Sequence, residues 1–183
     1  GTFGDRPELM VNIAGPTTRQ LVSVSSGQVR DDINFGNQML PQDFGDAPGS
    51  STLLANDGAR HLIVPGFYLG AGIDAESDGQ PNDSATGDDL NGADDEDGVE
   101  LTSELILGEE ATYQVTASTA GFLNAWIDSD HDGSFDQRFV SNAPLEAGVN
   151  SRTILVESGS VAAGDTYVRF RFTSEVVTNP TPT

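Results

Sequence analysis

Phe122-Leu123-Asn124-Ala125-Trp126-Ile127-Asp128-Ser129-Asp130-His131-Asp132-Gly133-Ser134-Phe135-Asp136-Gln137-Arg138-Phe139-Val140 places an acidic loop between two apolar runs. Phe122–Ile127 and Arg138–Val140 read as strands. The loop between them carries carboxylates at positions 1, 3, 5 and 9 and glycine at position 6. A calcium ion takes six to eight oxygens at roughly 2.3–2.6 Å, and this spacing lets a short loop curl around one. Gly133 permits the sharp turn that brings the Ser134 carbonyl into such a shell. Asp128, Asp130, Asp132 and Asp136, with Ser134, are therefore the first candidate metal ligands. Phe139 stands at position 12, where a helix-flanked calcium loop has a bidentate Glu. The missing ligand must then come from Asp136 directly, from another segment or from water. The plain alternative is a solvated acidic turn.

The strand reading extends on both sides of this loop. Thr112–Ser118, Phe122–Asp128, Arg138–Ser141, Arg152–Glu157 and Thr166–Ser174 all carry strand signals, separated by Thr119-Ala120-Gly121, Ala147-Gly148 and Ala163-Gly164-Asp165. Tyr113, Val115 and Ala117 fall on one face. In the last run Val168, Phe170 and Phe172 are expected to face inward, and Tyr167, Arg169 and Arg171 outward. No stretch reads as a convincing helix. The pattern predicts an all-β fold, an antiparallel β-sandwich with a long calcium-binding acidic loop region.

That loop region lies in residues 39–98, where Gly, Asp, Asn, Ser and Pro dominate. The apolar run His61–Leu69 is the exception, broken by Pro65-Gly66. From Asp74 to Asp97 there are ten acidic residues and no arginine. Such a run repels itself, so it is either disordered or ordered by bound cations. Its punctuation into Asp74–Gly79, Asp88-Asp89 and Asp94–Gly98 favours order. Asp46, Asp74, Glu76, Asp78, Asp94, Asp95, Glu96 and Asp97 are the candidate ligands of at least one further calcium ion.

Residues 1–38 hold three short runs, Glu8–Ala14, Gln20–Ser25 and Asp32–Phe35, too few to bury a core alone. They read as the end of a preceding module, or as strands that add to a neighbouring copy and so build a fibre. Residues 39–175 read as the main domain, and 176–183, with Pro180 and Pro182, as a linker.

Composition narrows the function. The chain has 183 residues, 29 acidic against 8 basic, with a net charge of −21. That excludes nucleic acid and anionic membrane surfaces as expected partners. All eight basic residues are arginine, and cysteine is absent, so disulfides cannot stabilise the fold. Bound metal is the obvious substitute. No stretch approaches the roughly 18 apolar residues of a membrane span, and the first residues do not read as a signal peptide. The chain reads as a mature segment whose signal, if any, lies outside it.

Asp43-Phe44-Gly45-Asp46-Ala47-Pro48, Ala59-Arg60-His61, Gly87-Asp88-Asp89 and Asp94-Asp95-Glu96-Asp97-Gly98-Val99 resemble the GEVED domain of bacterial secreted and surface proteins. Leu123–Asp128, the acidic loop, Pro144–Asn150 and Tyr167–Phe172 extend the resemblance across about residues 41–175. It implies a β-sandwich in large extracellular proteins, often interpreted as adhesion or matrix modules, and implies no known reaction. After Asp136 the sequence departs from the usual pattern, which often carries a longer acidic insert there. Ser25-Ser26-Gly27-Gln28 and Ile33-Asn34-Phe35-Gly36-Asn37 are similar to the closing strands of B-type repeat domains, SdrD-like and Cna-B-like. Some of these carry Lys–Asn isopeptide bonds, which a chain without lysine cannot form.

An enzyme is not expected. No GxSxG, HExxH or supported Ser/His/Asp arrangement is present. Asp43-Phe44-Gly45 matches a kinase triplet by chance. The abundant carboxylates leave a glycosidase open on residue type alone, but DG-rich clusters fit calcium better. Of the two histidines, His61 reads as packed or hydrogen-bonded and His131 as exposed. The expected function is a non-catalytic, calcium-stabilised structural or adhesion module at the bacterial cell surface or outside the cell. Its partners would be calcium, other copies or neighbouring surface domains. The alternative is a carbohydrate-binding module binding glycans through Trp126, Tyr68, Tyr113 or Tyr167.

Overall fold

The computed structural model describes residues 8–12, 19–23, 25–29, 40–48, 52–87, 96–157 and 161–182. The chain divides into two compact units, residues 1–40 and 41–183.

In the first unit, β1 (Glu8–Asn12) and β2 (Arg19–Ser23) pair antiparallel, with Met10 opposite Leu21. β1 falls within the expected run Glu8–Ala14, and β2 overlaps the expected run Gln20–Ser25, starting one residue before it. The third run, Asp32–Phe35, lies outside the described residues.

The second unit contains β3 (Gln42–Phe44), β4 (Arg60–Leu62), β5 (Val99–Leu101), β6 (Glu110–Ala117), β7 (Gly121–Ile127), β8 (Gln137–Leu145), β9 (Gly148–Leu155) and β10 (Val168–Thr173). All pairings are antiparallel. They form two three-stranded sheets, β5-β6-β9 and β10-β7-β8, and the small pair β3-β4. Helix among the described residues is limited to 3-10 turns such as Leu54–Asn56 and Glu96–Gly98. The protein is thus all-β and antiparallel, consistent with the expected sandwich. The five strand runs foreseen in residues 110–175 are all present. The short strands β3, β4 and β5 were not foreseen, because three residues are too few for alternation to register.

Alternation explains the core. Tyr113, Val115 and Ala117 of β6 are buried together with Leu123 and Ala125 of β7, Val140 and Leu145 of β8 and Phe172 of β10. One set comes from each sheet. Burying each Leu or Val contributes roughly 1.5–3 kcal/mol. Phe67 stacks on Phe172 with ring centroids 4.2 Å apart, closing the core over the segment that follows β4.

Strand β7 is central in its sheet and is buried on both faces. Leu123 and Ala125 point into the core, while Asn124 and Trp126 lie on the other face, also buried. The expectation that Arg169 and Arg171 face solvent is therefore corrected. Arg169 is 8% exposed and stands opposite Trp126 in the ladder. Arg171 is half-buried, donating from Nε to His61 Nε2 at 3.0 Å and from Nη2 to the Arg60 carbonyl. Period-2 alternation correctly separates the faces of β10, but it cannot foresee that β4 covers the second one.

The chain's last segment adds to this cover. Thr181 and Pro182 offer their carbonyls to Arg171 Nη1 (2.9 Å) and Arg169 Nη1 (3.2 Å). Residues 177–182 are held against the sheet rather than forming the free linker expected for 176–183. Proline lacks an N–H but keeps a good carbonyl acceptor, so a Pro-rich strip can serve as one.

Candidate functional site

The acidic loop is anchored by its first residue. The Asp128 N–H donates to the Tyr167 carbonyl at 3.1 Å, and the Asp128 carbonyl accepts from the Thr166 hydroxyl. The Asp128 side chain, 4% exposed, turns back into the loop. Its Oδ1 accepts the Asp132 N–H at 3.1 Å and its Oδ2 the Gly133 N–H at 2.9 Å. Asp132 Oδ1 accepts the Ser134 N–H at 2.8 Å. His131 and Gly133 take positive φ of 64° and 86°, so the backbone curls within a few residues. His131 is exposed, as its place between the ligand positions suggests.

This curl gathers Asp128, Asp130 and Asp132. Their ligand oxygens lie within 4.8 Å of one another, the one such acidic group among the described residues. Three hard carboxylate oxygens on a tight loop, one of them buried, suit calcium or magnesium rather than a soft metal. Asp136 is not gathered with them. Its carboxylate takes the Ser129 hydroxyl (2.9 Å) and Ser129 N–H (3.2 Å), which hold its pKa below the ordinary range. The Ser134 carbonyl accepts the Asp136 N–H at 3.1 Å.

The second candidate set is distributed differently. Asp46, 3% exposed, accepts the Gln80 N–H. Glu76 accepts the Phe44 N–H at 2.8 Å, Asp78 the Leu54 and Gly79 N–H groups, and Asp97 the Ala71 N–H. Asp74 Oδ1 is buried without a hydrogen-bond partner. Glu96 opens the turn Glu96–Gly98, and Asp94 and Asp95 lie outside the described residues. Within the described residues these carboxylates cap separate backbone turns and do not converge. Acceptance of N–H groups by carboxylates is itself strongly ordering in a segment that lacks regular structure.

Close backbone packing completes that order. A Cβ on Gly58 or Gly79 would come within 2.2–2.4 Å of Thr52 backbone atoms, and Thr52 is fully buried between them. Only glycine allows backbones to approach so closely.

Sequence reasoning missed a second feature, a cavity of about 570 Å³ beside β10. Asp43, Asp46, Arg60, His61, Arg169 and Arg171 contribute to its lining, with Phe44, Phe67 and Tyr68 among the apolar walls. Burial, then Arg171, then Arg169, push the His61 pKa down to about 4, so the ring is neutral at pH 7. Arg169 is pushed down to about 10 by burial and, secondarily, by Arg171, and stays charged. Its guanidinium lies 4.1 Å from the centre of the Phe135 ring. His61 and Arg171 lie 110 residues apart, so the sequence carries no local signal for this site.

Residues 122–183 match the GEVED domain.

The GEVED match begins in β7, takes in the whole acidic loop and β8–β10, and ends past the strip that covers Arg169. No curated protein and no solved structure matches the chain. No helix among the described residues is long and apolar enough to cross a membrane.

Proposed function

We propose that the chain is a non-catalytic, calcium-stabilised structural or adhesion module of a bacterial surface or secreted protein. The observation that carries the reading is the convergence of Asp128, Asp130 and Asp132 at the β7–β8 connection, inside the GEVED match. The loop joins two neighbouring strands of one sheet, so a cation there would fasten the end of the sandwich. A net charge of −21 without cysteine fits a fold that relies on cations in place of disulfides. In this reading Asp128, Asp130 and Asp132 hold the ion, with the Ser134 carbonyl and Asp136 available from the same loop. Titration calorimetry tests it: the parent should bind calcium, and Asp130→Ala should bind one ion fewer. Unchanged stoichiometry would overturn the assignment.

The two-stranded pair β1-β2 is marginal as an independent fold. The reading assigns residues 1–38 to assembly by strand addition onto a neighbouring copy. Deleting them should leave a folded monomer that no longer associates, and a parent that is monomeric at high concentration with calcium would exclude it.

One observation favours a second reading, a carbohydrate-binding module. The cavity beside β10 has the size of a small-ligand site, and Tyr68 is in its wall. Tyr167 is less suited, since its hydroxyl is engaged by the Asp83 carbonyl at 2.8 Å. Loss of glycan-array binding in Tyr68→Ala would support it.

A further inference from the structure

Arg169 is 8% exposed, and among the described residues no carboxylate pairs with it. Its Nη1 reaches the Pro182 carbonyl, while its Nη2 is buried with no hydrogen-bond partner. A buried charge is expected to be paired or fully hydrogen-bonded, because desolvation costs several kcal/mol per ion. The Phe135 face compensates only part of the cost. Arg169 is therefore an under-satisfied cation in a chain with a large excess of carboxylates.

Its neighbours are committed elsewhere. Arg60 donates to the Gly58 carbonyl and to Asp57, each at 2.8 Å. Arg171 holds His61, the Arg60 carbonyl and the Thr181 carbonyl. The carbonyls of Thr181 and Pro182 thus rest on two arginines that share the covered face of β10, each offering one oxygen and no charge. A carboxylate replacing Pro182 would meet Nη1 and Nη2 of Arg169 together, the paired geometry a guanidinium favours.

We infer that Arg169 and Arg171 on the covered face of β10 form a binding site for a carboxylate-bearing ligand, held in this structure by the carbonyls of Thr181 and Pro182. The strip's backbone carbonyls occupy the place of the ligand's oxygens and compete with it. Asp43 and Asp46 in the same wall disfavour a doubly charged phosphate or sulfate and leave room for a single negative charge. Phe44, next to Gly45 beside Arg169, offers an apolar surface for the ligand's carbon skeleton.

The test uses the full chain with ¹⁵N-labelled arginine and follows the side-chain N–H resonances by NMR. Sodium glucuronate is titrated in one arm and N-acetyl-aspartate amide in another, against sodium chloride at matched ionic strength and constant calcium. A saturable shift of the Arg169 resonance beyond that with chloride is expected. Response to glucuronate alone supports the site and names a sugar acid as source; response to the aspartate derivative alone supports it and names a protein side chain. Arg169→Lys, which keeps the charge and loses the fork, should weaken binding at least tenfold. Pro180→Gly/Pro182→Gly loosens the strip, leaves Arg169 intact, and should tighten binding at least threefold. That second variant keeps the test decisive if Arg169→Lys fails to fold. No shift beyond chloride with either probe, in the parent and in the loosened variant, overturns the inference. Affinity unchanged by loosening the strip overturns it too.

Discussion

Asn124 and Asn142 hold each other by two hydrogen bonds: Asn124 Oδ1 accepts the Asn142 N–H at 2.9 Å, and Asn124 Nδ2 donates to Asn142 Oδ1 at 3.2 Å. Asn124 is fully buried, and Asn142 takes a φ of 47° where β8 slips its register against β7. Asn142 also bonds both ways with Val177, through Nδ2 to its carbonyl and Oδ1 from its N–H, each at 3.1 Å. One buried amide thus fixes a strand irregularity that in turn fixes the final segment. Asn124→Leu should leave the Asn142 N–H without its acceptor and cost about 1–3 kcal/mol. Urea unfolding checks this; a change within about 0.5 kcal/mol, the range of neutral surface substitutions, would show the pair is dispensable.

Removing calcium should lower the melting temperature. A ligand at a hundred times its Kd stabilises the state it binds by about 2.7 kcal/mol. Trp126, the chain's one tryptophan, lies two residues before Asp128 and gives a fluorescence readout. Chelator should depress Tm by several degrees in the parent and not in Asp130→Asn/Asp132→Asn. Identical melting of the parent with and without chelator would count against the metal loop.

Acid should destabilise the fold before its carboxylates titrate. His61 is held at about 4 in the folded state against an ordinary value of 6.5. Between these values the unfolded chain binds the proton and the folded chain does not. Stability is therefore unaffected by this group above pH 6.5, falls as pH drops to 4, and levels off below. The full loss is about 3 kcal/mol, at 1.36 kcal/mol per unit. Denaturant midpoints at pH 7 and pH 5 should differ in the parent and converge in His61→Gln. A parent with no slope over this window would refute the neutral, buried assignment.

Gly79→Ala and Gly58→Ala should each cost more than about 1 kcal/mol, since the new methyl meets Thr52 backbone that cannot swing aside. Gly66→Ala is the informative control: its φ of 77° makes alanine strained, but nothing lies within 4 Å. It should lose only the backbone part, roughly 1 kcal/mol. Equal losses at all three sites would mean that packing around Thr52 contributes nothing.

The strand runs from Thr112 onward were legible because long alternating segments carry their own period; Tyr113, Val115 and Ala117 are buried as that period requires. The convergence of Asp128, Asp130 and Asp132 was legible because ligand spacing within one loop is a local property. Asp136 shared the spacing and still turned to Ser129, since a hydroxyl and an N–H seven residues back compete for its oxygens. The arginine cleft was not legible. Arg169 meets Pro182 from the last segment and Phe135 from the loop, and Arg171 meets His61 across 110 residues of sequence. No local pattern encodes such contacts. In the acidic region the sequence shows like charges in a row; it does not show that Glu76, Asp78 and Asp97 each find a different amide.

The Phe135 ring belongs to two places at once. It is the eighth residue of the acidic loop, and it is 7% exposed because it lies over the Arg169 guanidinium. A ring shared in this way is a mechanical link between the β7–β8 connection and the cleft under the final segment. An ion held in the loop and a ligand held at Arg169 would bear on the same ring. If the two bind with unequal strength alone and together, linkage would make that factor the same in both directions. Loop and guanidinium stand at the same end of β7 and β10, so this one ring is all that lies between them.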